Sequence, residues 1–361
     1  MRLTGYLYLS YSSLALVQYA ELDFQGFVKK YNKVYKSPEE YQAAMDAFAQ
    51  SVKEIEEVRR NGAVEHEVGI NEHSDIPQEQ FNKVMTCMSQ AANRRLEIGN
   101  NEGSGQSDVP NGTNVGDLPT DVDWEAAGAL GPVRDQVAML RSCGCCYAIS
   151  SVAVMESRFK IQSGISKVVP FSVQQIVDCS TMNNGCGGGR SEYVYDYARK
   201  QGMVKASSYP YVAKDGTCKT TLVTNPQKQC IKAGDIAHVY LTRPANELFM
   251  MYAVAQGPVG VTLHAGAPAL RKYKSGIITA KACGDGNINH QVTIVGYGTS
   301  TTGIPYWKIM NSWGKSWGMK GFAYIERTGA AIPRGACGIL TNQSQYPNFG
   351  SSIKSSPCIK P

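Results

Sequence analysis

Cysteine placement constrains this chain more than any other feature. Eleven cysteines are spread over 361 residues, and three of them, Cys143, Cys145 and Cys146, fall within the stretch RSCGCCYAIS. So many thiols suit an oxidising compartment, and an odd total leaves at least one unpaired. A disulfide half, a metal ligand and a reactive thiolate are all open to the clustered three. Cys146 stands where a helix-patterned run begins, CYAISSVAVMESRFKIQS ahead of Gly164. The free N–H groups and the positive end of the helix dipole lower a thiol's pKa at such a place. Cys143 and Cys146 also have the C-x2-C spacing of a zinc pair. No second pair stands near Cys186, and an oxidising setting works against free thiolates.

The bulk numbers exclude several classes. Hydrophobic residues make up 43% and charged ones 18%, enough for a sizeable core. The net charge of +6 is scattered without a basic block, so no nucleic-acid partner is expected. No apolar run approaches the roughly 20 residues of a membrane helix. Residues 1–20 read as a signal peptide, with Arg2 ahead of a moderately apolar stretch. Together with the cysteines, this points to the secretory pathway.

Ser37, Pro38 and Glu40 announce a helix through a capping box and a proline in the first turn. Tyr41, Ala44, Met45, Phe48, Val52, Ile55 and Val58 then form one apolar stripe, closed by Asn61-Gly62. Residues 99–117, rich in Gly, Asn and Ser, read as an exposed linker that is readily cut. Beyond residue 118, helical patterns come first: the run after Cys146, a segment capped by Ser172 and Gln175, then SEYVYDYARKQG and NELFMMYAVAQG. Strand-like runs follow: VGVTLHA, QVTIVGYG, PYWKIM and GFAYIER. Helices early and strands late predict an α+β fold with two packed halves.

A thiolate needs a base, and the chain has five histidines. His66 and His73 precede the linker. His238 and His264 sit in strand-like runs where packing explains them. His290 stands just before QVTIVGYG, at the edge of an element where a side chain can face a cleft. Asn311 closes PYWKIMN and can orient an imidazole. CGCCYAIS, NHQVTIVGYG and NSWGKSWG, in that order, resemble the papain family of cysteine proteases, nearest its cathepsin L-like branch. His290 follows Cys146 by 144 residues, within the roughly 130–150 of that family. LPTDVDW resembles the family's mature N-terminus, NNGCGGG its substrate-binding glycines and GACGIL its last disulfide strand. The N-terminal segment resembles its inhibitory propeptide, with His73 where an aromatic is usual.

The resemblance implies a two-lobed α+β papain-like fold, with a helical half, an antiparallel barrel-like half and a helical prodomain. It implies a cysteine endopeptidase made as a zymogen: propeptide over 21–98, linker over 99–117, peptidase over 118–361. Cys146 is then the nucleophile, His290 the base and acid, Asn311 its support, and Gln136 the oxyanion donor. Substrate contacts fall to Gly188, Gly189, Ser191, Thr262, Asn289, Gln291, Trp313 and Asn342. Trp313 shields the His290–Asn311 hydrogen bond. The implied disulfides are Cys143–Cys186, Cys179–Cys218 and Cys283–Cys337; Cys87, Cys145, Cys230 and Cys358 remain, and a fourth bridge between Cys230 and Cys358 is left open. The implied partners are protein and peptide substrates and the chain's own propeptide. A secreted, lysosomal or vacuolar monomer is expected, with no metal or cofactor.

Four departures from the family pattern carry their own expectations. Cys145 replaces a Ser or Ala, and Tyr147 replaces a Trp. Six residues, VAMLRS, separate Gln136 from Cys143 where the family has two, which bears on whether Gln136 reaches the oxyanion. Ser191, Thr262, Gln291 and Asn342 predict a narrower, more polar S2 pocket. The competing class is a non-catalytic homologue that binds peptides. No histidine-bearing insertion between Cys179 and Cys218 supports an exopeptidase.

Overall fold

The computed structural model describes residues 23–60, 65–86, 110, 112–138, 141–242, 246–284, 286–342 and 344–359. The signal region, most of the linker and Cys87 lie outside these. A first helix, α1, covers residues 23–30, and α2 runs over Pro38–Arg60. Pro38 suits the first turn because its missing N–H would have no partner there. Ser37 Oγ accepts the Glu40 N–H at 3.2 Å, but the Glu40 carboxylate returns to the Lys36 N–H at 2.6 Å. The expected capping box is therefore displaced by one residue. Ala44, Phe48, Ser51 and Ile55 form the buried stripe of α2. Phe24 and Phe27 pack on Phe48, with Tyr35 and Tyr41 around them, as a small separate core.

No periodicity marks β1, His66–Val68, because three residues carry no pattern. It is followed by α3, Gln78–Met85, which buries Phe81 and Met85. The part beyond residue 118 opens with the short β2, Val122–Asp123, and a hairpin of β3, Val137–Ala138, and β4, Arg141–Ser142. Helix α4, Cys146–Ser163, stops where Gly164 turns left-handed at φ 76°. Helix α5 spans Val173–Cys179, and Ser172 Oγ accepts the Gln175 N–H at 2.9 Å. The Gln175 side chain instead serves Tyr197, Gly202 and Val204, so half of that capping box forms. Helices α6, Ser191–Gln201, and α7, Glu247–Ala255, flank β5, Ile236–Leu241, in sequence.

The strands β6 (Val259–Leu263), β7 (Tyr273–Ile278), β8 (His290–Thr299), β9 (Pro305–Met310) and β10 (Phe322–Glu326) build the sheet half. Their order is β1-β7-β10-β9-β8-β2, with β6 also on β8. Pairing is antiparallel except between β10 and β7, which run parallel. The last strand, β11, Gln345–Phe349, pairs with β5. Strand β8 is buried along nearly its whole length, His290, Gln291 and Thr293 included. Its bulge at Gly296 brings the Val122 carbonyl to within 2.1 Å of where a Cβ would stand, so only glycine fits.

The segments before and after residues 99–117 meet through that sheet. His66 pairs with Gly276, Glu67 with Ser275 and Val68 with Tyr273, so β1 extends the sheet at its β7 edge. Among the described residues, bridges join Cys143–Cys186, Cys179–Cys218, Cys283–Cys337 and Cys230–Cys358. The last ties the tail after β11 to the body. Because Cys143 is bonded to Cys186, the zinc reading of the clustered cysteines loses a ligand pair.

Candidate active site

Cys146 opens α4, and His290 opens β8, so the interface of the two halves brings them together. The N–H of Gln291, next to His290, donates to Cys146 Sγ at 3.2 Å. His290 Nε2 donates to Asn311 Oδ1 at 2.8 Å. The Trp313 ring stacks on His290, with centroids 4.8 Å apart and planes inclined by 30°. The buried indole thus covers one face of the imidazole that bonds Asn311. His290 Nδ1 has no hydrogen-bond partner among the described residues, which leaves it for the reacting groups. Burial, opposed by the Asn311 hydrogen bond, pulls His290 down to about 4. The imidazole is therefore neutral while the cleft is covered.

The six residues between Gln136 and Cys143 leave and return through antiparallel pairing. Val137 pairs with Ser142 and Ala138 with Arg141, and the Cys143 N–H returns to the Gln136 carbonyl at 3.2 Å. The added length is absorbed there and not passed on to Gln136. Ser312 Oγ donates to Gln136 Oε1 at 2.8 Å, and the Gln136 N–H donates to the Ser312 carbonyl at 2.9 Å. With its oxygen end held, the amide aims Nε2 outward, and Nε2 donates to the Val84 carbonyl at 2.7 Å. Trp313 Nε1 donates to the Met85 carbonyl at 3.1 Å, and Phe81 packs edge-on against the same indole. Gln136 and Trp313 are thus both satisfied by main-chain carbonyls of α3. His73 adds to the cover, with Nε2 3.3 Å from the Trp313 carbonyl.

The two adjacent thiols have opposite settings. Cys145 is free and fully buried, with Sγ 3.1 Å from Tyr211 Oη, and burial pushes it up to about 12. It stays protonated and is no nucleophile at physiological pH. Cys146 is itself disulfide-bonded. In this state its sulfur is not a thiolate.

Around the cleft, Gly188 is buried at φ 108°, and a Cβ on Gly189 would meet Asn183 Oδ1 at 2.3 Å and the Tyr147 ring at 2.7 Å. Tyr147, in place of Trp, donates to the Gly185 carbonyl at 3.0 Å and so braces the glycine loop. Gln291 Nε2 donates to Ser191 Oγ at 3.1 Å, and Asn342 Nδ2 to Thr262 Oγ1 at 2.8 Å. Gln291 and Thr262 face each other across β8 and β6, so the four polar residues form two linked pairs. The Asn289 side chain is committed to the Ala265 N–H at 2.9 Å. Sequence reasoning did not reach Ser312 or the Val84 and Met85 carbonyls. Ser312 is signalled by its place beside Asn311, whereas main-chain acceptors leave no trace in side-chain chemistry.

Residues 118–347 match the family described as papain family cysteine protease, and residues 24–81 the cathepsin propeptide inhibitor domain. Caricain of Carica papaya is 33% identical over 94% of this chain and 92% of its own length. Ananain of Ananas comosus is 32% identical over 91% and 88%. Among solved structures, the recombinant stem bromelain precursor superposes with a TM-score of 0.75 at 29% identity, covering 92% of this chain and 99% of its own. The digestive procathepsin L 3 of Tenebrio molitor larval midgut gives 0.75 at 27% identity, covering 91% and 99%. The chain belongs to the papain family of cysteine proteases and is a zymogen of that family, with its inhibitory propeptide in the same chain.

Proposed function

We propose that Cys146 is the nucleophile, His290 its base and acid, and Asn311 the residue that fixes the imidazole. Gln136 Nε2 and the Cys146 N–H then receive the oxyanion. An external dithiol reduces the Cys146 disulfide and is itself oxidised to a disulfide, which frees the thiol, and His290 takes its proton once the cleft is uncovered. The thiolate attacks the scissile carbonyl carbon, and the oxyanion forms against the two donors. The C–N bond breaks as the imidazolium protonates the leaving amine. Water, deprotonated by His290, then cleaves the thioester. Each preorganised oxyanion donor contributes about 2.7–4 kcal/mol to such a step. The observation that carries this reading is Gln136, held by Ser312 and already donating to a carbonyl laid across the site. Acid activation with a reducing dithiol, then an epoxide thiol inactivator and peptide mapping, tests it. Label is expected at Cys146 only after reduction. Label at Cys145, or none with the fold intact, overturns it.

The polar pairs Gln291–Ser191 and Asn342–Thr262 favour a small polar side chain at the S2 position over Leu or Phe. Gln291→Ala is expected to raise kcat/KM for Leu at P2 by about tenfold relative to a polar P2 residue. Equal rates on Leu and polar P2 peptides for the unaltered enzyme count against the pocket assignment. Residues 21–98 serve as propeptide, 99–117 as the activation segment and 118–361 as the monomeric peptidase. The disulfides support passage through the secretory pathway to a secreted, lysosomal or vacuolar site, with residues 1–20 as the signal. No helix among the described residues is long and apolar enough to cross a membrane.

A further inference from the structure

We propose that Tyr211 and Cys145 act together as positioning residues for the oxyanion hole, holding Gln136 and the Cys146 N–H at a fixed separation. This rests on the oxyanion assignment above and concerns two residues that assignment does not use. Tyr211 Oη lies 3.0 Å from the Gln136 carbonyl oxygen and 3.1 Å from Cys145 Sγ. A phenol has one proton, and a carbonyl only accepts, so that proton goes to Gln136. Cys145 must then donate its S–H to Tyr211 Oη. The relay runs from Cys145 S–H to Tyr211 O–H to the Gln136 carbonyl.

Three observations give the relay a purpose. First, its acceptor is the neck of the inserted hairpin. The Cys143 N–H closes that neck with one bond at 3.2 Å, and Tyr211 supplies the second bond to the same carbonyl. Second, its donor is the residue directly before Cys146, so the relay's two ends lead covalently to the two oxyanion donors. Third, Tyr211 is itself anchored, since the next N–H, of Val212, donates to Gln174 Oε1 at 3.0 Å on α5. Burial keeps the Cys145 thiol protonated, as its donor role requires. A serine or alanine at this position offers a different donor or none. The unexpected cysteine therefore matches the unexpected insertion.

The test uses the activated full-chain enzyme. Tyr211→Phe is expected to lower kcat on peptide amides about tenfold, with KM within about twofold, because donors misplaced by a fraction of an ångström lose most of their effect. Alkylation of Cys146 by iodoacetamide needs no oxyanion hole, and its rate is expected to stay unchanged. In a Gln136→Ala background, Tyr211→Phe is expected to cost less than about twofold, because coupled residues are not additive. Cys145→Ala is expected to lower kcat about threefold, and Cys145→Ser, which keeps a donor, to recover most of that. The proposal is overturned if Tyr211→Phe leaves kcat unchanged, lowers alkylation in step with kcat, or costs the same factor without Gln136. If Tyr211→Phe does not fold, the Cys145→Ala and Cys145→Ser pair decides the question in both backgrounds. An unaltered enzyme that is labelled at Cys146 yet hydrolyses nothing sinks the oxyanion reading itself. An active enzyme indifferent to these changes sinks only the relay.

Discussion

Cys146→Ala is expected to remove peptide hydrolysis by a factor on the order of 10^6, as loss of a nucleophile does in serine proteases. Cys145→Ala, one residue away, is expected to cost no more than about tenfold. The contrast follows from placement. Cys146 begins α4 and accepts from the N–H beside His290, while Cys145 is buried and points to Tyr211. Initial rates after reductive acid activation decide it, with folding checked by circular dichroism. Comparable losses in the two variants would show that the adjacent thiols share the chemistry and that the division between them is mistaken.

Zymogen opening is expected to accelerate steeply as pH falls below about 6.5, and two propeptide histidines set the slope. His73 and His66 are both pulled down from 6.5, in each case chiefly by burial against the peptidase. His66 has neither ring nitrogen bonded among the described residues. His73 faces Glu72 and Asp75, which favour its charge, and Lys33, which opposes it. A histidine depressed in the closed state and ordinary in the open one favours closure fully above 6.5. That contribution is lost as pH drops from 6.5 toward the depressed value. Each such proton contributes up to about tenfold per pH unit. Lys272 works in the same direction at higher pH. Its Nζ lies 2.6 Å from Ser51 Oγ of α2, and burial pulls it down to about 7. Asp135, raised to about 6 chiefly by burial, opposes them. His73→Phe, restoring the family's usual aromatic, is expected to flatten the profile. The rate at which reduced zymogen becomes reactive to an epoxide, followed from pH 7.5 to 4.5, measures it. An unchanged slope in that variant would remove His73 from the trigger.

Cys146, His290 and Asn311 stand out in the sequence because the chemistry proposed for them is local. A helix-start cysteine, a strand-start histidine and a strand-end asparagine each carry a side chain whose type is the signal. Ser191, Thr262, Gln291 and Asn342 read from sequence as a polar set, while their pairing into Gln291–Ser191 and Asn342–Thr262 depends on strand register. What the sequence hid depends on closure in three dimensions. The insertion after Gln136 looked like a displacement, yet hairpin pairing returns Cys143 to within one hydrogen bond of Gln136. Strand β1 was too short to show a period, and the carbonyls of Val84 and Met85 belong to every residue type alike. Glu40 and Gln175 each read as a capping partner, but found other donors and acceptors once neighbouring segments packed nearby.

Departure of the propeptide changes the solubility of what remains. Strand β7 gives up β1, and Ile277 loses the Glu65 carbonyl that its N–H now reaches at 2.6 Å. A bare strand edge invites pairing with another copy, and lysines are a common means of discouraging it. Lys272 and Lys274 flank Tyr273 at this edge, and burial in the zymogen pulls both below their ordinary values. Uncovering returns their full charge to the edge as it opens. The precursor hides this self-association hazard, and the mature enzyme answers it with the same lysines that its propeptide had covered.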